Sequence, residues 1–340
     1  MFYNTHHMTN DNSPVIRKGL KWQSADFVAE KNTEALGKLS NNKNYGLCLS
    51  GGGAKGAYQI GCWRAFLEWG LDFEVVAGSS VGALNGAFIC QGDYARAENF
   101  WCHVSAEQIL RLDTSRMRRL AARTAMDLAL LALPLPFQGA RAIRYTRYAM
   151  MAFYLFSQKG SLRRILREGL FDASVLERTI DQYLDLDRLM SSGKTLIIST
   201  LQFSRDDSLR WGHTRYHRTD TMTANDIKKL LLASASIPLI FPAVEMEGLY
   251  HRDGAVLVKT PVRPLYDMGI RKIFTVHLKP LKRSFQRRFR DASIVAIAPS
   301  RPLARPALGT FTFTPDTARM QLGRGYQDAI KTLRNNPLFN

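Results

Sequence analysis

Two glycine turns, each directly after an apolar run, constrain the fold of this chain more than any other feature of its sequence. The first run covers residues 45–50 and leads into Ser50-Gly51-Gly52-Gly53-Ala54-Lys55-Gly56; the second covers 73–77 and leads into Gly78-Ser79-Ser80-Val81-Gly82. A helical pattern at about 55–69 connects them. Alternating strands and helices are typical of βαβ units in a mostly parallel sheet covered by helices, where ligands bind at the carboxyl ends of the strands.

The remainder of the chain largely continues this alternation and predicts an α/β fold. Apolar runs indicate further strands, and helical periodicity with stop signals such as Ile237-Pro238 indicates further helices. Predicted strands lie at 195–203, 209–217 (the second arm of a hairpin), 272–278 and 293–298; predicted helices lie at 81–91, 94–101, 174–184, 225–235 and 316–332.

The polarity of the chain divides it into two parts. Residues 1–43 are polar and have no sustained period, so we expect an irregular leader. Residues 44–340 predict one large α/β domain. Within that domain, a basic and apolar helical insertion lies at about 111–167, and a C-terminal strand-loop-helix tail lies at about 272–340.

The insertion at 111–167 carries twelve Lys or Arg residues against two acidic residues. Its two apolar runs, 125–137 and 148–156, are both shorter than the about 18 to 20 residues needed to cross a bilayer. A basic flank beside an apolar run is typical of a helix lying in a membrane interface, and such a helix would make the insertion lid-like. A helical hairpin packed on the sheet explains the same pattern, so both interpretations stay open.

The charge of the whole chain predicts an anionic partner. Forty-seven Lys and Arg residues against 29 Asp and Glu residues leave a net charge of +18, which favours either nucleic acid or acidic lipid. The basic residues are interleaved with aliphatic runs rather than with aromatic side chains that stack on bases. We therefore expect an anionic membrane and no nucleic acid.

The cysteines and the N-terminus bear on where the protein works. Cys48, Cys62, Cys90 and Cys102 match neither a paired zinc-binding pattern nor a small disulfide scaffold, so we expect reduced core residues. The N-terminus has no apolar stretch long enough for a Sec signal peptide. We expect a cytoplasmic protein without a transmembrane helix that associates peripherally with membranes; a non-classical export signal stays open.

The second turn, Gly78-Ser79-Ser80-Val81-Gly82, is typical of a nucleophile elbow. In an elbow the serine occupies a sharp turn between a strand and a helix, and glycines two residues before and after it leave room for neighbouring backbone. The positive end of the following helix points at the serine. We therefore predict that Ser80 is a nucleophile, with a tight βα connection of no chemical function as the alternative.

The first turn also fits the dinucleotide-binding pattern Gly-x-Gly-x-x-Gly through Gly51, Gly53 and Gly56. That function needs an acidic residue at the end of the second strand to hold a ribose. The second strand has Glu74 at its start and the elbow at its end, which disfavours a dinucleotide. Successive glycines instead allow backbone N–H groups to converge on a small anion, as an oxyanion hole does.

A nucleophilic serine also needs a base. His277 is the only histidine that follows both Ser80 and Asp253, and its place inside a predicted strand favours a core residue. Asp253 is the acidic residue of greater interest. It lies in a predicted tight turn, in which Gly254 allows the carboxylate to approach another loop.

Four blocks of the sequence resemble, in order, those of patatin-like phospholipases. Four ordered blocks are far more specific than one, and the resemblance covers about 45–278, with a tail at 297–302 and 316–330 similar to that of bacterial members. The chain is thereby identified as a member of this family, with a three-layer α/β/α fold. The blocks are Gly51-Gly52-Gly53-Ala54-Lys55-Gly56, Gly78-Ser79-Ser80-Val81-Gly82, Ala233-Ser234-Ala235-Ser236-Ile237-Pro238 with Phe241-Pro242, and Asp253-Gly254-Ala255.

The resemblance implies a lipid acyl hydrolase that uses a Ser-Asp dyad and no metal or other cofactor. It implies that Ser80 attacks the ester carbonyl while Asp253 accepts the proton of the hydroxyl. Ala255 departs from the Asp-Gly-Gly usual in the family, and we expect this change to be tolerated. The implied oxyanion hole is formed by Gly51, Gly52, Gly53 and Ala54, and the supporting loop and elbow positions are Lys55, Gly56, Gly78, Gly82 and Gly254.

Resemblance and charge together predict cleavage of glycerophospholipid esters, as by a phospholipase A or a lysophospholipase, at the surface of an anionic membrane. The alternative is a non-catalytic or activator-dependent effector that binds a membrane or a protein, and a protein activator stays open as a partner. A binding module has no use for Ser80, Asp253 and the glycine loop together, which disfavours that alternative. The arginines expected to contact headgroups are Arg141, Arg144, Arg147, Arg287 and Arg288.

Overall fold

The strand Tyr45–Leu49 (β1) lies inside a mixed sheet, because it pairs in parallel with Val75–Ser79 (β2) on one edge and with Lys272–Val276 (β7) on the other. The computed structural model describes residues 45–119, 121–122, 168–204, 212–281, 289–304 and 310–336. The other strands in these residues are β3 (Thr195–Phe203), β4 (His213–Arg218), β5 (Val244–Met246), β6 (Leu249–Asp253) and β8 (Ser293–Ile297). Hydrogen-bonded neighbours run in the order β5-β6-β3-β2-β1-β7-β8, and β4 also pairs with β3.

Both faces of the sheet are covered, as the alternation of side chains along β1 shows. Leu47 and Leu49 pack into the larger core cluster, whereas Cys48 packs into a smaller cluster on the other face with Val262 and Leu265. Strands buried on both faces are nearly continuous apolar runs, which is why this strand is recognisable in the sequence. The structure confirms the predicted α/β fold, with a central sheet flanked by helices.

The helices on this sheet are short to medium in length, and many begin at a side-chain cap. Asp93, Asp172, Asp185, Thr223 and Thr314 each accept a hydrogen bond from a backbone N–H of the first turn that follows. The helices are α1 (Ala57–Glu68), α2 (Val81–Gln91), α3 (Tyr94–His103), α4 (Ala173–Tyr183), α5 (Leu186–Ser191), α6 (Ala224–Ala235), α7 (Arg263–Asp267) and α8 (Pro315–Arg334).

Strands β2 and β6 meet end to end on one edge of β3. Ser199 pairs with Ser79, the last residue of β2, and Thr200 pairs with Asp253, the last residue of β6. Strand β4 pairs with the opposite edge of both these β3 residues. Because β2 is parallel to β3 and β6 is antiparallel, the carboxyl ends of β2 and β6 point at each other. The register of β3 therefore brings Ser80 next to Asp253.

The structure confirms most predicted elements and corrects one of them. The hairpin is confirmed, because β4 is antiparallel to β3. The tight turn predicted around Asp253 is wrong, because Asp253 ends strand β6 and a helical turn, Gly254–Val256, follows it. The sequence from Val244 to Asp253 has too many polar residues to show a strand period, and both β5 and β6 went unpredicted for that reason.

The expectations about cysteines and membrane spans have separate outcomes. All four cysteines are free, and Cys48, Cys62 and Cys90 are buried, as predicted. Among the described residues, no helix is both long and apolar enough to cross a membrane. The apolar runs at 125–137 and 148–156, the leader at 1–43 and most of the insertion lie outside the described residues.

Helices α1 and α8 pack at backbone contact through two glycines. A Cβ atom on Gly61 would overlap the carbonyl oxygen of Leu322, and a Cβ atom on Gly325 would overlap that of Tyr58. The Cys62 thiol also donates to the carbonyl oxygen of Gly325, at 3.3 Å. Side chains larger than hydrogen at these two positions would push the last helix away from the rest of the domain.

Replacing Gly325 with alanine is expected to lower the free energy of unfolding by about 1 to 3 kcal/mol, because the added carbon meets rigid backbone. Gly323, two residues earlier in the same helix, provides a matched control, since a Cβ atom added there would have no neighbouring atom within 4 Å. Gly323→Ala is expected to be neutral or to stabilise by up to about 1 kcal/mol, the helix propensity gain. Urea unfolding of both variants measures the difference; equal effects would contradict the close helix contact.

Candidate active site

Ser80 occupies the sharp turn between β2 and α2 in a strained conformation, with φ 55° and ψ −129°. A non-glycine residue with positive φ costs about 1 to 3 kcal/mol and persists only where its surroundings hold it. The Ser80 N–H donates to Oγ of Ser234 at 2.9 Å, and that hydroxyl donates to the carbonyl oxygen of Ser199 at 2.8 Å. The elbow is thus tied to α6 and, through it, to β3.

Two glycines give the elbow the space that it needs. A Cβ atom on Gly78 would overlap the backbone of Gly82, and a Cβ atom on Gly82 would overlap the carbonyl oxygen of Leu49 in β1. The first turn of α2 therefore crosses the end of the sheet at backbone distance. The positive end of this helix lies at Ser80, where it favours negative charge.

Asp253 lies across from the elbow, 4% exposed, at the end of β6. Its Oδ1 accepts a hydrogen bond from the N–H of Ala255 at 2.8 Å, and its own N–H donates to the carbonyl oxygen of Ser236 at 3.1 Å. The neighbouring Gly254 has to be glycine, since a Cβ atom there would lie 2.5 Å from Oγ of Ser199. Both the carboxylate and its backbone are held in place.

Burial raises the pKa of Asp253 from 3.8 to about 7. The Ala255 amide, the hydrogen-bonding Ser80 side chain and the ammonium group of Lys259 each act in the opposite direction, and burial outweighs them together. A carboxylate with a pKa near neutrality is a much stronger base than an ordinary aspartate, and it is still ionised in about half of the molecules at pH 7.

The glycine loop lines the same cavity as Ser80. Gly53 has φ +60°, and a Cβ atom on it would overlap the carbonyl oxygen of Thr310. A helical turn, Gly53–Gly56, starts there and runs into α1. N–H groups at the start of a helix have no acceptor within it, so those of Gly53 and Ala54 are available to an anion. The N–H of Gly51 instead donates to the carbonyl oxygen of Lys259, at 2.9 Å.

A buried polar network behind the loop fixes its shape. The Gln59 side-chain amide donates to the carbonyl oxygen of Ser50 at 2.7 Å, and the Asn85 amide donates both to the carbonyl oxygen of Gly56 at 2.9 Å and to Oε1 of Gln59 at 2.8 Å. Trp101 completes the chain by donating from Nε1 to Oδ1 of Asn85, at 2.9 Å. Every member is satisfied, as a buried network requires.

The last helix supports the loop from the other side. Gln321 of α8 is fully buried, and its side-chain amide nitrogen, when oriented to satisfy its surroundings, donates to the carbonyl oxygens of Ala54 at 3.0 Å and Lys55 at 3.2 Å. Nothing in the sequence distinguishes Gln321, Gln59 or Asn85 from other helix residues. Their role depends on tertiary contacts, and sequence reasoning missed all three.

Two cavities meet at Ser80. One, of about 620 Å³, contains Asp253, the glycine loop and three lysines, Lys55, Lys259 and Lys279. The other, of about 60 Å³, is narrow and almost wholly apolar. Its walls include Leu84, Phe100, Trp101, Leu176, Phe241 and Phe313.

His277, the other base considered from the sequence, also lines the larger cavity. Burial lowers its pKa to about 4, so the ring is neutral at physiological pH. Its Nε2 pairs with the hydroxyl of Thr275 at 3.0 Å. This ring therefore has a structural partner in Thr275 of β7, the strand that ends just before His277.

Comparison with known proteins decides the family. A model of the patatin-like phospholipase family matches residues 47–266, more than half of the chain. The chain belongs to the patatin-like phospholipase family. The matched range contains the glycine loop, the elbow and Asp253.

Curated relatives match over short stretches. Lysophospholipase NTE1 of Chaetomium globosum is 47% identical over 77 residues, which are 23% of this chain and 5% of that protein. Neuropathy target esterase sws of Drosophila persimilis is 44% identical over 55 residues, 16% of this chain and 4% of that protein. The chain thus spans a small part of the length of these relatives.

Two solved structures align over most of the chain at low identity. VipD from Legionella pneumophila is 14% identical, with a TM-score of 0.44, and the alignment covers 86% of this chain and 67% of the VipD chain. Human GIVD cytosolic phospholipase A2 is 12% identical, with a TM-score of 0.37, and the alignment covers 85% of this chain and 57% of the phospholipase chain.

The structure brings together the site residues near the two turns and leaves others undescribed. Ser80, Asp253 and the loop residues Gly51, Gly52, Gly53 and Lys55 line one cavity. Gly254 follows Asp253 directly, and Gly78 and Gly82 flank the elbow. Among the described residues, no group of three or more His, Cys, Asp or Glu side chains could hold a metal ion. The predicted headgroup contacts that lie outside the described residues are Arg141, Arg144, Arg147, Arg287 and Arg288.

The raised pKa of Asp253 makes a prediction about stability. Above pH 7 the native state has to hold a buried carboxylate, whereas below the unfolded-state pKa, near 3.8, both states are protonated. Asp253→Asn is therefore expected to be more stable than the unaltered chain by up to about 4 kcal/mol at pH 8, and by almost nothing at pH 4. Denaturant unfolding across this pH range measures the difference.

The exposed Asp187 on α5 gives the control for this experiment. Asp187→Asn changes a carboxyl group on the surface, and it should not reproduce the stabilisation expected for Asp253→Asn at pH 8. A flat pH dependence for Asp253→Asn would mean that the carboxyl is not destabilised by burial in the native state.

Proposed function

We propose that this protein hydrolyses carboxylic ester bonds of glycerophospholipids, as a phospholipase A or lysophospholipase does, with Ser80 as nucleophile and Asp253 as base. One observation carries the proposal. A serine in a strained elbow lies beside a buried carboxylate whose pKa burial raises to about 7. The family supports a lipid ester as the substrate class, and the neighbouring positions of the two side chains support the roles that we propose for them.

Acylation begins when Oγ of Ser80 attacks the ester carbonyl carbon. The hydroxyl proton passes to the carboxylate of Asp253, and the carbonyl oxygen becomes an oxyanion. When this intermediate collapses, the ester C–O bond breaks, and the protonated Asp253 returns the proton to the departing alkoxide. The alcohol leaves, and the acyl chain stays bound to Ser80 as an ester.

Deacylation repeats the same proton transfers with water. Asp253, again ionised, takes a proton from a water molecule that attacks the acyl-serine carbonyl. Collapse of the second intermediate returns the proton to Oγ of Ser80 and releases the fatty acid. A base with a pKa near 7 suits both steps, because it accepts and returns a proton at similar cost.

The oxyanion needs preorganised donors, and we assign this role to the glycine loop. Gly53 and Ala54 begin the helical turn that Gly52 precedes, so their N–H groups have no acceptor within that turn. The N–H of Gly51 is bonded to Lys259 and serves to anchor the loop. The loss of one oxyanion donor typically costs about 10²- to 10³-fold in rate.

The two cavities fit the two ends of a lipid ester. The narrow apolar cavity is suited to the first carbons of an acyl chain, because its lining is aliphatic and aromatic. The larger cavity opens beside Asp253 and is lined by the three lysines, which suits the glycerol and the polar headgroup. Action at an anionic membrane surface, with the protein peripherally bound, follows from the net charge of +18.

Ser80→Ala and Asp253→Asn are each expected to lower ester hydrolysis on mixed anionic vesicles, by about 10⁴-fold or more for the nucleophile and about 10²- to 10⁴-fold for the base. Matched controls are Ser191→Ala and Asp187→Asn on α5, outside both cavities, and these should retain full activity. Mass spectrometry of the released fatty acids, with and without cell lysate, measures the products.

The dyad would be wrong if either active-site variant kept its activity. A protein that releases no fatty acid with or without lysate, and whose vesicle binding is unaffected by Ser80→Ala, would instead fit the non-catalytic membrane-binding effector. Release in the presence of lysate alone would fit the activator-dependent one.

The base should also be visible in the pH dependence of the reaction. Since Asp253 must be ionised in the free enzyme, kcat/KM is expected to rise tenfold per pH unit below about 7 and to level off above it. Stopped assays on a soluble short-chain ester measure the profile without changes in vesicle charge. A plateau that already begins near pH 5 would show that the base is an ordinary carboxylate or a different group.

A further inference from the structure

The larger cavity beside Ser80 has a charge that its role in ester cleavage does not require. Three of its lining residues are lysines, Lys55, Lys259 and Lys279, and Asp253 is the one acidic residue among the described lining residues. His277, on the same wall, is neutral. When Asp253 is protonated during the reaction, the described residues that line the cavity carry three positive charges and no negative charge.

The ammonium groups of these lysines are close enough to repel one another. Burial is the largest cause of the lowered pKa of Lys55, and the charges of Lys279 and Lys259 add to it. Lys259 also has a lowered pKa, through burial and then through Lys279. Like charges held together without an anion cost free energy, and a bound anion removes that cost.

The backbone fixes both outer lysines to the glycine loop. The carbonyl oxygen of Lys259 accepts the N–H of Gly51 at 2.9 Å. Leu278, immediately before Lys279, donates its N–H to Oγ of Ser50 at 3.0 Å. The backbone of both lysines is therefore held at a defined place relative to Ser80 and Asp253, and their exposed side chains extend from it at the cavity.

We propose that Lys259 and Lys279 bind the phosphate of the substrate headgroup, and that they select lipids whose phosphate is a terminal, doubly charged monoester. This inference rests on the proposed function. Lys55, which donates to Oγ1 of Thr310 at 3.3 Å, closes the inner side of the same subsite. The glycerol backbone separates an ester carbonyl from the phosphate by a short chain, comparable to the length of a lysine side chain.

The same charges act against zwitterionic headgroups. A choline ammonium group attached to the phosphate would lie close to three lysine side chains in this cavity. Among the described residues that line the cavity, Asp253 is the one acidic side chain that could pair with it. Specificity then comes from repulsion of the wrong headgroup as well as from attraction of the right one.

The test compares substrates that differ only in the phosphate. Octanoyl glycerol phosphate and octanoyl glycerol are both used below their aggregation concentrations, because anionic vesicles would attract the basic chain as a whole. Salt is held at physiological strength, where charges more than about 8 Å away are largely screened. The readout is the ratio of kcat/KM for the two esters, with octanoyl glycerophosphocholine as a third substrate.

The unaltered protein is expected to prefer the phosphomonoester by about tenfold or more over both other esters. The double variant Lys259→Gln, Lys279→Gln should lower that preference about tenfold. The control variant Lys229→Gln, Lys272→Gln removes two exposed lysines that do not line the cavity and should keep the preference. The two single variants are measured if the double variant does not fold.

Three outcomes would overturn the assignment: no preference in the unaltered protein, an unchanged preference in the cavity variant, or an equal loss in the control. The protein could show no preference for the phosphomonoester while inorganic phosphate slows the cleavage of octanoyl glycerol. That result would show that the lysines bind the free anion rather than a headgroup.

The phosphate subsite can also be tested if the protein proves not to be a hydrolase. If no octanoyl ester is cleaved, calorimetry with the uncleavable ether analogue of octanoyl glycerol phosphate still measures binding. Binding about tenfold tighter than that of the ether analogue without phosphate, lost in the cavity variant and kept in the control, would support the phosphate subsite by itself. Equal binding of the two analogues would overturn it.

Discussion

The site depends on one feature of the sheet, the end-to-end meeting of β2 and β6 along a single edge of β3. Consecutive residues of β3, Ser199 and Thr200, pair with the last residue of each strand. A parallel and an antiparallel strand can share one edge in this way only where both stop. Strand pairing alone therefore makes the turn that follows β2 and the carboxylate that ends β6 adjacent. No particular loop conformation is needed to bring them together.

This meeting also explains the chemistry of the carboxylate. At the junction of two strand ends, Asp253 is 4% exposed, and both its carboxylate and its backbone N–H are hydrogen-bonded to neighbouring backbone. The same enclosure that positions it beside Ser80 removes water and raises its pKa to about 7. Positioning and basicity therefore have one cause, and the associated loss of stability at neutral pH is what the proposed function requires, because a base has to be ionised.

The sequence predicts the parts of this arrangement that depend on local spacing. Gly78 and Gly82 could be recognised because an elbow needs glycine at those two positions, and the buried strands could be recognised from their continuous apolar runs. Strand β6 could not, because its residues Tyr250, His251 and Arg252 show no apolar period. Asp253 was found through the family block rather than through its strand.

The residues that support the glycine loop could not be predicted from the sequence, because they also act through tertiary contacts. Gln59, Asn85 and Gln321 donate hydrogen bonds to the glycine loop from three different helices, α1, α2 and α8. A buried amide in an amphipathic helix looks the same whether it holds a loop or only fills space. Its role becomes visible once the tertiary contact is known.

The contact of Gln321 with the glycine loop has a consequence for the order of events during synthesis. Helix α8 follows every other described element of the domain, so a growing chain contains Ser80 and Asp253 long before it contains Gln321. We expect the loop to reach its working shape only after α8 docks against Gly61. Under the proposed function, an incomplete chain would then not attack the lipids around it, which the rate of labelling by a serine-directed fluorophosphonate, with and without residues 315–336, would show.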